Sequence, residues 1–457
     1  MRKSCVFSLL AVASMTFIPF SGAFVSADGM AHYYDPYSVT GLISQDAQFG
    51  LISYSSGEEK LAISIRISES DLMLGTSAVW MFPVPAAPEN VDISLISEIT
   101  TLGGSPLGLV AESEMSDYLA AVLMSQVYTV PLTWAIMDDR LLLPRDNLML
   151  GWEEPIRVIE TVAAQGMVAE LVGTNDSTAL GEYLESKGMV LGPLEQATVE
   201  EYVGQDYSFV VSWIPNTTAF MEAAPGVVNY DGDRYYNLGI RMDFPTDRIF
   251  YPMRLTSAYG DEHVPMLVEV FGLVSVDDPR GYDVDVQHMC HGWTHLPPDM
   301  QPFASYGDDA RLPGYEFTRI WVDVESSSLE EDLWMDDESP MGADVLVFAT
   351  LNPLVVVLIS FVLASMLASI IVAFLVFRPY GPRLERFALL AGLNFLSIIA
   401  IWLALRNERV KKYLIPTEEP IPAPGKMLYT DYLIGFSLAF IALLILIPAI
   451  FLVVATT

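Results

Sequence analysis

The sequence predicts an α+β protein, a mostly antiparallel β ectodomain with a few helices, followed by C-terminal transmembrane helices. Three observations predict it: period-two alternation of apolar residues recurs before Glu330, two helix signals stand among the strands, and long uncharged apolar runs are confined to the last quarter of the 457-residue chain.

Among the strands, Leu61, Ile63, Ile65 and Ile67 alternate with Ala62, Ser64 and Arg66, which makes one face apolar. Val39 to Tyr54 precedes them across the turn Ser55-Ser56-Gly57-Glu58-Glu59, so the pair reads as a hairpin over a core. Further strands are expected at Ala78 to Val84, Ile156 to Ala163, Met167 to Val172, Tyr207 to Trp213, Tyr236 to Phe244, Met266 to Val274 and Phe317 to Val322. One helix has both of its ends marked. Asp176 or Ser177 can accept the free amides at its start, Ala179, Leu180, Tyr183 and Leu184 form a stripe, and Gly188 supplies a left-handed stop. A second helix is expected from Glu112 to Met124. The acidic run Glu330 to Glu338 reads as a solvated stalk, so the domain is bounded at 28–329 with a linker at 330–352.

Arg2 and Lys3, the apolar run Cys5 to Phe20, and Val25 with Ala27 have the form of a secretory signal peptide over 1–27. Pro353 to Phe377 holds 25 uncharged residues, 17 of them Leu, Ile, Val or Phe. Such a run favours the bilayer by about 5 to 10 kcal/mol and exceeds the roughly 30 Å hydrocarbon core in length. Leu433 to Val454 repeats it with Pro448 inside, and Phe387 to Leu405 is expected as a third span. With the domain outside, Arg378, Arg383 and Arg386 would be cytoplasmic, in keeping with the positive-inside rule, whereas Arg406, Arg409, Lys411 and Lys412 would be outside. A re-entrant middle segment would keep both clusters inside. Residues 406–430 form a basic, Pro-rich connector.

From Asp28 to Asp344 there are 13 Lys+Arg against 52 Asp+Glu, a net charge of −39, while the whole chain carries −34. So acidic a surface excludes a nucleic-acid binder, and 52% hydrophobic residues exclude a disordered acidic tail. Beyond the leader only Cys290 remains, so the exported region depends on its core and has no internal disulfide. Asn175-Asp176-Ser177 and Asn216-Thr217-Thr218 are glycosylation sequons in an exported chain.

Several pieces occur in a familiar order: Ala27-Asp28-Gly29, Trp80-Met81-Phe82-Pro83-Val84-Pro85, Tyr183-Leu184-Glu185-Ser186-Lys187-Gly188 and Tyr207-Ser208-Phe209-Val210-Val211. Phe244-Pro245-Thr246-Asp247, Tyr251-Pro252-Met253-Arg254-Leu255-Thr256, Phe317-Thr318-Arg319 and Glu331-Asp332-Leu333 follow. Over residues 28 to 340 the chain resembles the family known as domain of unknown function 2330, exported bacterial and archaeal proteins often fixed to a membrane by a C-terminal segment. The stretch from Gly108 to Asn147 and the several apolar C-terminal runs depart from that pattern. The resemblance implies fold and compartment and no activity.

The residue types best suited to chemistry are His288, Cys290, His291 and His295, because imidazole and thiolate are ligands for zinc or copper. Gly292 and Pro297-Pro298 place them on a loop, with Asp283, Asp285 and Asp299 as further oxygen donors. Asn229, Asp231 and Asp233, and Asp277, Asp278, Asp283 and Asp285, lack the spacing of a helix-loop-helix calcium loop and could hold only weak surface calcium. No HExxH sequence, nucleophile elbow or phosphate loop is present, so no catalytic or cofactor-binding residue is assigned. Trp80, Phe82, Pro83 and Pro85 read as core before they read as a partner-binding patch. The expectation is a membrane-anchored extracytoplasmic protein, leaning non-enzymatic, whose partners are the lipid bilayer and envelope or membrane proteins. The alternatives are a metal-binding or metal-dependent hydrolytic protein and a subunit of a larger membrane complex.

Overall fold

The computed structural model describes residues 30–34, 41–42, 47–74, 77–96, 99, 101–124, 162–164, 166–224, 226–228, 232–277, 284–291, 300, 303, 314–377, 382–392, 403–404, 406–414 and 425–456. The leader 1–27, the expected strand start 156–161, His295 and most of the expected span 387–405 lie outside them.

Two large sheets face each other. The six-stranded sheet runs Gly41–Leu42, Met30–Tyr34, Ser77–Val84, Ser208–Ile214, Met167–Gly173, Val162–Ala164. The nine-stranded sheet runs Val227–Val228, Arg234–Pro245, Glu58–Ser68, Ala47–Ser55, Met266–Phe271, Tyr315–Val322, Val284–His291, Ser105–Pro106, with Asp92–Ile96 also paired to Arg234–Pro245. Its pairings are antiparallel except Met266–Phe271 against Ala47–Ser55. Three short strands, Ile249–Tyr251, Leu333–Asp336 and Ser275–Val276, make a third sheet.

The alternation read in the sequence is what joins the layers. Ile63, Ile65 and Ile67 on the large sheet meet Trp80, Phe82 and Val210 on the smaller one in a single buried cluster. Trp80 and Phe82 are thus core residues, 1% and 0% exposed. On the outer face of the six-stranded sheet, Val79, Met81, Phe209 and Val211 pack under Leu180, Leu184 and Val199 from helices Ser177–Lys187 and Pro193–Glu200.

The helix Ser177–Lys187 ends where its signals place it. The Asp176 carboxylate accepts from the Thr178 and Ala179 amides, and Gly188 takes φ 100°, which only glycine adopts without strain. Lys187 Nζ lies 3.8 Å from the Trp213 ring centroid and 3.3 Å from Glu170, tying the helix end to the sheet. The second expected helix is longer, Leu107–Met124.

The acidic run corrects the expectation of a stalk. Within it Leu333–Asp336 is a strand paired with Ile249–Tyr251, and Leu333 and Met335 are fully buried. Alternation of Leu333 and Met335 with Trp334 and Asp336 supplies the buried face. Met341–Leu351, in the expected linker, is a helix, separated by Asn352 from the 25-residue helix Pro353–Phe377.

Two helices, Pro353–Phe377 and Gly435–Ala455 within Gly425–Thr456, are long and apolar enough to cross a membrane. They run antiparallel, with Phe361 on Phe440 at 5.0 Å and the Ser369 and Tyr432 hydroxyls 2.7 Å apart, while Gly342 abuts the Ala455 carbonyl. Buried Ala364, Ala368 and Ala373 permit this close approach.

Candidate functional site

The segment carrying the metal-ligand residue types is a strand. Val284–His291 pairs with Tyr315–Val322 along its length and with Ser105–Pro106 at Met289 and Cys290. Strand alternation divides the side chains between two faces: His288 and Cys290 share one, and His291 takes the other. His291 stacks on Tyr315, its register partner, with ring centroids 5.0 Å apart and planes 7° from parallel.

His288 Nδ1 lies 3.4 Å from Thr318 Oγ1, which in turn donates to the Gly272 carbonyl and accepts from the Val274 amide, both at 3.0 Å. Burial pushes the His288 pKa down, keeping the ring neutral. Burial, with a smaller contribution from the Glu316 charge, pushes the Cys290 pKa up, keeping it a thiol. The face shared by His288 and Cys290 therefore offers a neutral imidazole and a protonated sulfur. Among the described residues no group of three or more His, Cys, Asp or Glu side chains is placed to hold a metal ion. Of the oxygen donors considered, Asp285 accepts from Gln287 Nε2 at 2.8 Å, and Asp277 pairs with Arg248.

The opposite face carries a constellation that sequence reasoning missed. Arg319 donates to Glu269 Oε1 from Nε at 2.8 Å and from Nη2 at 2.6 Å, and Nη2 also reaches the Leu102 carbonyl at 2.6 Å. Glu269 in return accepts from the Leu102 amide at 2.5 Å. Burial pushes the Glu269 pKa up, against the pull of the Leu102 amide and the Arg319 charge. These four hydrogen bonds clamp the chain around Leu102 onto the sheet. A Cβ on Gly103 would touch the His291 ring at 3.6 Å, and one on Gly104 would collide with Phe317 at 2.7 Å. Gly104 is thus required by close approach to the sheet, whereas a side chain at Gly103 would make only ordinary contact with His291, and the sequence signal for the approach was Gly103-Gly104 itself.

A second missed network organises the pieces Tyr251-Pro252-Met253-Arg254-Leu255-Thr256 and Glu331-Asp332-Leu333. Asp332 accepts from the Met253 and Arg254 amides at 2.9 Å and from Tyr202 Oη at 2.7 Å. Tyr251 donates to Gln48 Oε1 at 3.0 Å, and Gln48 Nε2 reaches Thr256 Oγ1 at 3.3 Å. Burial, reinforced by the Asp332 charge, raises the Tyr207 pKa to about 12. These groups face one another inside the fold and fix its chain crossings.

No family model matches the chain, and no curated protein matches it. Among solved structures, baculovirus P35 aligns at TM-score 0.25 and 10% identity, over 65% of this chain and 98% of that one. A mutated baculovirus P35 after caspase cleavage aligns at TM-score 0.23 and 8% identity, over 64% and 99% of the respective chains. Likeness at this level carries no conclusion about fold or activity.

The face bearing Cys290 leads directly to the apolar helices. Cys290 and Leu273 pack with Leu107, Ala111 and Met115 of Leu107–Met124, and these with Ala343, Leu346 and Val347 of Met341–Leu351. The same cluster takes in Val356 and Val357 of Pro353–Phe377 and Ala455 at the end of the last helix. Helix Leu107–Met124 is therefore a wedge between the β domain and the two long apolar helices, and one buried cluster draws members from all three. The second sequon asparagine, Asn216, caps helix Thr217–Ala223, its Oδ1 accepting from the Ala219 amide at 2.9 Å.

Proposed function

We propose that this is a membrane-anchored extracytoplasmic protein whose acidic α+β domain acts at the cell surface by binding or assembly with envelope or membrane proteins. The observation that carries the reading is the buried cluster from Cys290 through Leu107, Ala111 and Met115 to Val356 and Ala455. An anchor that served only to tether would need no such packing, since a flexible linker suffices. Here the domain is seated on its helices through a helix of its own. The leader-like start and the charge asymmetry support the same compartment.

Membrane fractionation of the full chain tests the anchor. It should stay in the pellet through an alkaline carbonate wash, and a chain ending before Pro353 should not. For the mode of action, the detergent-solubilised protein should form discrete complexes with envelope or membrane proteins after crosslinking in intact cells. Recovery from the wash as a soluble species, or a crosslinking pattern unchanged by blocking the domain with an antibody fragment, would overturn the reading.

A further inference from the structure

The fold treats the sequons Asn175-Asp176-Ser177 and Asn216-Thr217-Thr218 differently, because the first asparagine stands before a helix and the second caps one. We propose that Asn175 is a site of N-linked saccharide attachment on the folded domain, and that the fold withholds Asn216. The inference rests on the reading that the domain is extracytoplasmic, where a membrane-bound transferase and its lipid-carried saccharide are met.

Asn175 lies in the turn between strand Met167–Gly173 and helix Ser177–Lys187. Its side chain is exposed and makes no hydrogen bond among the described residues, because the neighbouring Asp176 takes the capping role. Thr174 Oγ1 accepts from the Asp176 amide and donates to the Asp176 carbonyl, both at 3.0 Å, which fixes the turn in which Asn175 stands. The third-position hydroxyl that a transferase reads, on Ser177, is half-exposed. Asp176, Thr178, Ala179 and Glu182 around it are exposed, and a Cβ on Gly181 would meet open space, so a bulky saccharide has room. The first buried side chain of the helix is Leu180. Drawing residues 175–177 into an extended groove therefore releases one cap and no core contact.

Asn216 is itself the cap. Its Oδ1 accepts from the Ala219 amide at 2.9 Å, and its carbonyl accepts from the Phe220 amide at 3.0 Å. Thr217, the middle residue of that sequon, is 3% exposed, and Phe220, equally buried, sits in the main core with its ring 5.8 Å from that of Tyr236. Presenting residues 216–218 in extended form would unwind helix Thr217–Ala223 and pull both side chains from the core. At Asn175 the reaction balances without a redox partner. Nδ2 attacks the anomeric carbon of a saccharide carried on a polyprenyl diphosphate. The carbon–nitrogen bond forms as the carbon–oxygen bond to phosphate breaks, the diphosphate leaves with the bonding pair, and the amide proton passes to a carboxylate of the transferase.

The test incubates the full chain, purified in detergent, with a polyprenyl-diphosphate oligosaccharide and a single-subunit oligosaccharyltransferase that requires only Asn-X-Ser/Thr. Peptide mass spectrometry maps the product. The folded chain should be modified at Asn175 about tenfold or more faster than at Asn216, the factor set by about 1.4 kcal/mol of local opening. Synthetic peptides spanning each sequon have no fold and should be modified at similar rates. Asn175→Gln and Ser177→Ala should each abolish the main product, Ser177→Thr should keep it, and Thr218→Ala, which removes the second sequon and leaves its cap, should not change it. Circular dichroism checks that each variant is folded. Equal rates at both asparagines of the folded chain would overturn the proposal, as would an Asn175 modified in the peptide and refused in the fold, or an Asn216 peptide refused as firmly as the folded site. In cells carrying the same transferase, export is scored separately by added protease. A chain exported yet bare at Asn175 counts against the site, whereas an unexported chain overturns the compartment and the purified reaction still decides the site.

Discussion

Arg383 lies over the ring of Tyr413, 5.5 Å from its centroid, although 29 residues separate them in sequence. The expected third span, 387–405, lies mostly outside the described residues, but its flanks are held together. Single cysteines at 383 and 413, in a Cys290→Ser background, should therefore react with an impermeant maleimide from the same side of sealed vesicles. Labelling from opposite sides would favour a third span at 387–405 over the re-entrant middle segment.

Glu59 is fully buried. Its Oε2 accepts from the Phe250 amide at 2.8 Å, while Oε1 has no hydrogen-bond partner among the described residues. Burial raises its pKa well above the usual carboxylate range, with the Phe250 bond opposing. The folded state keeps a proton that the unfolded chain releases, so the contribution of Glu59 to stability is full below the unfolded pKa of about 4.3 and falls as pH rises toward the folded value. The slope is about 1.4 kcal/mol per pH unit. Glu59→Gln removes it, so the melting temperature of the variant should exceed that of wild type at about pH 8 and converge on it near about pH 5. Scanning calorimetry of the full chain in detergent checks this, and a difference independent of pH would contradict it.

Arg319→Met leaves Glu269, whose side chain is 3% exposed, without its cation and frees the Leu102 carbonyl. The expected loss is about 3 to 5 kcal/mol. The double variant Arg319→Met with Glu269→Leu should recover part of it, since neither partner is then left charged and buried. Denaturant unfolding measures both. A single variant within about 0.5 kcal/mol of wild type would remove the clamp from the account.

Met115 is 2% exposed in the wedge between the β domain and the apolar helices. Met115→Ala should cost about 2 to 5 kcal/mol in the stability of that junction. Hydrogen exchange should then accelerate in Met341–Leu351 and not in the distant hairpin Ala47–Ser68. Acceleration spread equally over both would mean that the seat is not a separate unit.

What the sequence made legible was local. Asp176 and Gly188 mark the ends of Ser177–Lys187 because a side-chain cap and a positive φ are written in single residues. The hairpin through Leu61 to Ile67 follows from alternation alone. What was missed is created by distant pairing. His288 to His295 reads as a loop because of Gly292 and Pro297-Pro298, and its described part, His288 to His291, belongs to the strand Val284–His291 only by pairing with Tyr315–Val322. Asp332 was hidden by its acidic neighbours, since composition alone cannot distinguish the carboxylate that caps Met253 and Arg254 from those facing solvent. The wedge helix Leu107–Met124 was expected from Glu112 onward, short by its first five residues, but its role depends on Val356 and Ala455, more than 200 residues away.

The central claim is that the β domain sits outside the membrane, seated on two antiparallel helices that cross it. Protease added to intact cells or spheroplasts tests this most directly. The account predicts digestion of the domain before Met341 and survival of a C-terminal fragment containing Pro353–Phe377 and Gly435–Ala455, with the whole chain cleaved only after detergent is added. A full-length chain untouched until the membrane is opened would contradict it.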